Sequence, residues 1–160
     1  RLLQQDAIET FKKELMPMAT LLTPNIAEAE VLSGCPIEDI CSIDSAAQMI
    51  LSQNCNALLI KGGHLAEKTD RLYVKPYQNG ATLVASYHHD SINSANTHGT
   101  GCTLSSAIAA LMAKGEELED AILKAKGYVS EAIAKGAYIN IGRGAGPVNH
   151  FFNPQKMIVR

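Results

Sequence analysis

Ala57-Leu58-Leu59-Ile60-Lys61-Gly62-Gly63 is the stretch on which the fold turns. Four apolar residues run without a polar break and end on a lysine and a glycine pair. So short an apolar run, closed by a breaker, reads as a strand buried on both faces, because a helix needs about ten residues or more. Upstream, residues 44–53 have helical spacing, with Asp44 or Ser42 as the expected cap. Before that, Pro24-Asn25 opens a helix through Glu28, Glu30 and Leu32 that should stop at Gly34. Thr20-Leu21-Leu22-Thr23 is a short buried-strand candidate. Residues 6–15 are expected to be helical, with Asp6 as N-cap and Pro17 preventing continuation.

Downstream, residues 71–77 and 81–88 flank Asn79-Gly80, a strong hairpin signal, and should form two antiparallel strands. Two long helices are expected at about 101–114 and 117–136, divided at Gly115, followed by a glycine-rich loop at 142–147. Helix, strand, helix, helix, strand is the order of an α/β domain with a parallel sheet. Parallel sheets normally have several strands and cover on both faces. Two parallel strands and one hairpin therefore predict the C-terminal part of a larger α/β domain.

The 160 residues suit a single domain. The 46% hydrophobic share excludes a disordered chain, and a net charge of -2 gives no attraction to a nucleic-acid backbone. No apolar run reaches the ~20 residues that span a bilayer. Cysteines 35, 41, 55 and 102 form no CxxC pair and are expected to be reduced thiols in a cytoplasmic protein. Arg1-Leu2-Leu3-Gln4 has no long apolar region of a secretory leader and no initiator Met. The expectation is that the chain begins inside a longer gene product or a processed precursor. Met16, Met18, Met49 and Met112 are expected to fill core gaps, and the spacing of His64, His88, His89 and His98 predicts no zinc site.

Three places carry candidate chemistry. In Asn96-Thr97-His98-Gly99-Thr100-Gly101-Cys102-Thr103, two glycines flank a threonine where a loop becomes an apolar helix. Glycines let the backbone approach a ligand, and the free N–H groups of a helix start attract anions. Phosphoryl transfer needs such donors around charged oxygens. Cys102 would stand there to take a proton from a substrate hydroxyl or to hold that hydroxyl in line. The plainer alternative is a turn capped by glycines beside a small buried thiol. Asn25 and Glu28 face the same way at a helix start and either help to hold Mg²⁺ near phosphates or simply cap the helix. Lys61, at a strand's C-terminal end, either neutralises a nucleotide phosphate or is a solvated lysine.

Together with Leu22 to Glu30, Ile60 to His64, Asn96 to Ser105 and Gly144 to His150, these stretches resemble the phosphomethylpyrimidine kinases of thiamin biosynthesis, in the ribokinase-like superfamily. The resemblance implies a three-layer α/β/α fold with a mostly parallel sheet plus an antiparallel hairpin. It implies further βα units ahead of the point matching Arg1. It makes Gly99, Thr100, Gly101 and Cys102 an anion hole, with Cys102 as base or positioner in place of the aspartate most ribokinase-like enzymes carry. Asn25 and Glu28 match the N-x-x-E motif associated with Mg²⁺ and phosphate, and Glu28 is the implied metal residue. Lys61 and Thr97 fall on the nucleotide side. The implied activity is ATP- and Mg²⁺-dependent phosphorylation of a hydroxymethylpyrimidine and of its monophosphate, with a tendency to form homodimers. Two alternatives stand beside it: a pyridoxal-type kinase, whose alcohol is also a hydroxymethyl on an aromatic six-ring, and a truncated, non-catalytic nucleotide-binding fragment.

Overall fold

The computed structural model describes residues 5–62, 68–75 and 81–154. The chain divides into two compact units, Arg1–Asp90 and Ser91–Arg160. The start of the chain, the Gly63-His64 pair and the Asn79-Gly80 turn lie outside the described residues.

Unit 1 opens with α1, Gln5–Thr10, followed by a single π-helical turn over Phe11–Leu15 and a 3-10 turn over Met16–Met18. The expected single helix over 6–15 is thus α-helical only in its first half, and Asp6 lies inside α1 rather than at its cap. Pro17 sits in the first turn of the 3-10 segment, where its missing N–H costs nothing. α2, Ile26–Ser33, is bounded as its sequence requires. Asn25 caps it, and Gly34 ends it at φ 79 with its N–H on the Glu30 carbonyl at 2.8 Å. α3 spans Ile40–Ser52, four residues longer at its start than the sequence predicts. Its cap is Asp39, whose Oδ1 accepts the Ser42 N–H at 2.8 Å. Ser42 is the third-position partner of that capping box. The bonds from Ser42 hold the exposed Asp39 carboxyl below its ordinary pKa.

Asp44, free of capping duty, accepts the hydroxyl of Tyr73 at 2.6 Å. Tyr73 is only 2% exposed, and burial pushes its phenol well above the ordinary tyrosine range. A group whose folded pKa is raised contributes stability that is intact below its unfolded pKa and is lost as pH climbs. The folded chain should therefore lose stability above about pH 10, where an unfolded tyrosine ionises. Tyr73→Phe should cost about 1–3 kcal/mol at neutral pH, because Asp44 loses its donor, and should flatten that alkaline loss. Denaturant melts at pH 7 and at high pH measure both effects.

β1, Ala57–Ile60, is buried along its whole length, as the unbroken apolar run demands. It pairs antiparallel with β2, Thr69–Val74, in the register Ile60 with Arg71 and Ala57 with Val74. β2 pairs antiparallel with β3, Thr82–His88, with an irregularity at Leu72/Tyr73. The strand expected at 71–77 therefore starts and stops earlier. The larger correction is to the sheet. Its named strands run in the order β1-β2-β3, all antiparallel, where a parallel sheet was expected. The connection from Lys61 to Lys68 is too short for a crossover, which takes about a dozen residues. The parallel element is the segment around Leu22. Leu22 donates to the Ala57 carbonyl at 3.0 Å and accepts from Leu59 at 2.8 Å, and the Pro24 carbonyl accepts from Lys61 at 2.9 Å. It makes isolated parallel bridges, Leu22 to Leu58 and Asn25 to Lys61, rather than a full strand. Pro24 has no N–H to give to a ladder.

α3 and β1 supply half of the unit 1 core cluster, and Met16 is fully buried within it. Met18 and Met49 are exposed and Met112 is half-buried, so only Met16 of the four takes the expected core role. Cys55 is buried, its thiol on the Ala57 carbonyl at 3.1 Å, and burial raises its pKa. All four cysteines are free thiols.

Unit 2 is built on α4, Thr100–Ala113, and α5, Leu118–Gly136, within a residue of the expected limits at their starts. Gly115, at φ 91, makes the turn between them. Leu104 and Ile108 of α4 are buried, as are the small residues Ala121, Ala125 and Ala132 along α5.

Candidate active site

The start of α4 carries the first group of candidates. Gly99 is the N-cap at φ 86, in the left-handed region that glycine enters without strain. Its carbonyl accepts the Thr103 N–H at 2.8 Å, which sets the first helical bond. The side chain of Thr100 donates to the Thr97 carbonyl, and the Thr100 N–H points to the same oxygen at 3.3 Å. The N–H groups of Gly101 and Cys102 have no hydrogen-bond partner among the described residues. Cys102 is solvent-exposed, so it is not the small buried thiol of the plainer reading. Two free amides and an exposed sulfur at the positive end of a fourteen-residue helix form a cradle for an anion.

The loop ahead of α4 is held from behind. Asn96 is 6% exposed, and its amide donates to the carbonyls of Gly136 at 2.7 Å and Ile139 at 2.6 Å. His98 donates its N–H to the Gly146 carbonyl at 3.0 Å and bridges to Pro147. A Cβ on Gly146 would lie 2.1 Å from Oδ1 of Asn96, so the close approach itself requires glycine. The glycine-rich stretch 142–147 thus buttresses the cradle. Asn96 was absent from the candidate residues read from the sequence. Its one signal is a polar residue directly ahead of the Thr97–Gly101 turn.

A cavity of about 670 Å³ runs from Cys102 along α4. Its walls include Ser106, Ala110, Lys114, Lys124 and Tyr128. Lys124 pairs with Glu116 at 2.6 Å.

In unit 1 the structure brings Asn25, Glu28 and Lys61 together. Asn25 and Lys61 are bridge partners on adjacent extended segments, and Asn25 caps α2. Asn25 Oδ1 accepts the Glu28 N–H at 2.8 Å, while Glu28 Oε2 accepts the Asn25 N–H at 2.8 Å. The capping alternative is therefore realised for both residues. It also fixes the exposed Glu28 carboxylate in place. Lys61 is half-buried at the end of β1. The backbone behind it is held by a residue the sequence reading missed. Asp70, 4% exposed on β2, accepts the Gly62 N–H at 2.9 Å and lies 3.7 Å from His89. Gly62 admits no side chain, since a Cβ there would meet the Thr69 carbonyl at 2.1 Å. Asp70 precedes the strand expected at 71–77, so no signal in the sequence marked it; its burial and its bond to Gly62 arise only in the fold.

Mg²⁺ is bound in phosphoryl-transfer sites through one or two carboxylates, with substrate phosphates and water completing the octahedron. An exposed carboxylate held rigid by a capping box fits that role. No group of three or more His, Cys, Asp or Glu residues among the described ones could hold an ion by itself. No described helix is long and apolar enough to cross a membrane.

The chain is thus an α/β protein with a glycine-capped helix start whose Gly101 and Cys102 amides are open, and with Lys61 backbone-paired to the Asn25 cap of α2. Residues 1–149 match the family Phosphomethylpyrimidine kinase, and the chain belongs to that family. It is 42% identical over 153 residues to the hydroxymethylpyrimidine/phosphomethylpyrimidine kinase of Rhizobium meliloti, covering 94% of this chain and 55% of that protein. The Haemophilus influenzae protein of the same description is 39% identical over 155 residues, with the same coverage. Among solved structures, an ADP complex of Bacillus subtilis pyridoxal kinase superposes with a TM-score of 0.80 at 29% identity, covering 93% of this chain and 56% of that one. A phosphomethylpyrimidine kinase from Clostridium difficile superposes with a TM-score of 0.64 at 33% identity, covering 81% of this chain and 50% of that one. The chain spans about half the length of the curated relatives it matches.

Proposed function

We propose that this chain is the C-terminal, phosphate- and nucleotide-side part of a ribokinase-like domain with a mostly parallel sheet in three layers. In this reading the domain transfers the γ-phosphoryl of ATP to a hydroxymethylpyrimidine, and then to its monophosphate, in thiamin biosynthesis. The observation that carries it is the start of α4, where the open amides of Gly101 and Cys102 adjoin an exposed thiol. Family membership and the curated relatives' names support the choice of substrate. A solved relative that holds AMP-PCP supports ATP as donor. A cytoplasmic location and a homodimer complete the proposal.

In-line transfer forms a bond from the alcohol oxygen to the γ-phosphorus and breaks the bond from that phosphorus to the β,γ-bridging oxygen, releasing ADP. The hydroxyl proton passes to Cys102 in its thiolate form, which becomes the neutral thiol. Gly99 gives the turn its shape, and the backbone from Thr100 to Cys102 receives the charge on the phosphoryl oxygens. Lys61, Asn25 and Thr97 serve the nucleotide. Glu28 would hold Mg²⁺, directly or through water, and the ion supplies charge neutralisation at the phosphate oxygens when bound.

The second reading, a pyridoxal-type kinase, is favoured by the Bacillus subtilis neighbour with its TM-score of 0.80. A non-catalytic nucleotide-binding fragment is the third. Incubation with ATP, Mg²⁺ and each alcohol separately distinguishes them. Phosphorylation of the pyrimidine alcohol and its monophosphate is expected. A preference for pyridoxal would transfer the assignment to the second reading, and ATP binding without transfer to either alcohol would transfer it to the third.

A further inference from the structure

Asp70 is an acidic side chain where charge is normally absent. It stands on β2 next to the buried Arg71 and Leu72 and is itself 4% exposed. Burying a carboxylate is costly unless hydrogen bonds and opposite charge compensate it. Part of that compensation is the Gly62 N–H, 2.9 Å from Oδ1 in a buried setting. The same oxygen lies 3.7 Å from Nε2 of His89. Ile60 and Arg71 are the last pair of the β1–β2 ladder, so Lys61 and Asp70 stand across its end. On the other side of β1, the Lys61 N–H donates to the Pro24 carbonyl at 2.9 Å, and Lys61 bridges to Asn25. The main chain at Lys61–Gly62 is therefore tied on both sides, to the segment capping α2 by a backbone bond and to β2 by the Asp70 carboxylate. Lys61 itself makes no ion pair among the described residues.

We propose that Asp70 is a positioning residue for the nucleotide side of the site. Its carboxylate holds the Gly62 amide, fixes the backbone that presents Lys61 to a nucleotide phosphate, and leaves the charge of Lys61 unspent. The proposal rests on the reading of Lys61 as a cation that serves the nucleotide. A neutral carbonyl would satisfy the Gly62 N–H without burying a charge, and one is close by: the Thr69 oxygen would lie 2.1 Å from a Cβ on Gly62. The amide nevertheless bonds to the carboxylate. A bond to a charged acceptor is roughly twice as strong as one between neutral groups. That strength falls where the ladder has ended and backbone pairing with β2 no longer holds the chain. A cation whose backbone is held in advance binds a phosphate with less ordering left to do at the moment of binding.

The test measures MgADP binding to the full chain by calorimetry and exchange of the Gly62 amide by NMR. Asp70→Ala removes the acceptor, whereas Asp70→Asn keeps Oδ1 and removes only the charge. The Kd for MgADP should rise about tenfold in Asp70→Ala and in Lys61→Ala, and stay within about threefold of the parent in Asp70→Asn. The chain carrying both alanines should bind no more weakly than Lys61→Ala alone. Such non-additivity marks a residue that acts through Lys61, while general loosening of the fold would add to the loss. Exchange at Gly62 should quicken by about tenfold or more in Asp70→Ala and stay slow in Asp70→Asn. Asp70→Ser, one atom too short to reach the amide, carries the same expectations as Asp70→Ala and replaces it if the alanine chain does not fold. Tyr73→Phe controls for stability on the same strand and should leave the Kd unchanged. An affinity within about twofold of the parent in Asp70→Ala or Asp70→Ser, additive losses in the double variant, or unchanged exchange at Gly62 would each overturn the proposal. A parent that binds no MgADP, or Lys61→Ala that binds it as the parent does, would instead overturn the reading of Lys61 and the proposal with it.

Discussion

Cys102→Ala is expected to lower phosphoryl transfer by about a hundred- to ten-thousandfold, the usual contribution of a positioned proton acceptor. The variant removes the exposed sulfur and leaves the backbone cradle of α4 in place, because no hydrogen bond of the Gly99–Thr103 turn uses the Cys102 side chain. ATP affinity should therefore stay within about twofold of the parent, since the amides that meet the phosphates are untouched. The loss should appear in kcat rather than in KM for ATP. The measurement is steady-state kinetics on protein that turns over, with ATP binding measured separately. Turnover within twofold of the parent would remove the thiol from the mechanism and leave only the amides.

The second large effect is structural. Asn96→Leu should destabilise unit 2 by about 2–5 kcal/mol, because the carbonyls of Gly136 and Ile139 each lose a donor in a buried setting. In a unit of 70 residues that is about 10 °C or more in the melting of α4 and α5, followed by NMR signals from those helices. The same variant should loosen the turn ahead of α4, because Asn96 ties the loop to the end of α5 while His98 ties it to Gly146. A melting shift under about 2 °C would show that another contact anchors the loop.

What the sequence disclosed followed the range of the physics. Local rules worked where the deciding atoms are near in sequence. The Ala57–Ile60 run became a buried strand, Gly34 ended α2 in the left-handed region, and Gly115 divided α4 from α5. They failed where two local signals compete. Asp39 and Asp44 both precede helical spacing, and only the box with Ser42 shows which one caps. They failed again at the sheet direction. The strand candidate at residues 20–23 does run parallel to β1, yet Pro24 limits its pairing, and the connection from Lys61 to Lys68 makes β2 antiparallel. In the candidate site, Gly99 to Cys102 were legible because glycines at a helix start are a local pattern. Asn25, Glu28 and Lys61 were legible as candidates, but their adjacency required the pairing of two segments far apart in sequence. Asn96 was missed for the same reason, and Asp70 because its burial and its bond to Gly62 are set by the sheet. What distinguishes them is burial and partners: Asn96 reaches carbonyls forty residues or more away, at Gly136 and Ile139.

The central claim is that the amides opening α4 receive phosphate oxygens. Titrating the isotope-labelled chain with a non-hydrolysable ATP analogue and Mg²⁺, while following its backbone amides by NMR, tests it directly. The Gly101 and Cys102 amides are expected to shift most within α4, saturating together with Thr100. Saturable binding that leaves those amides unmoved while others shift would contradict it.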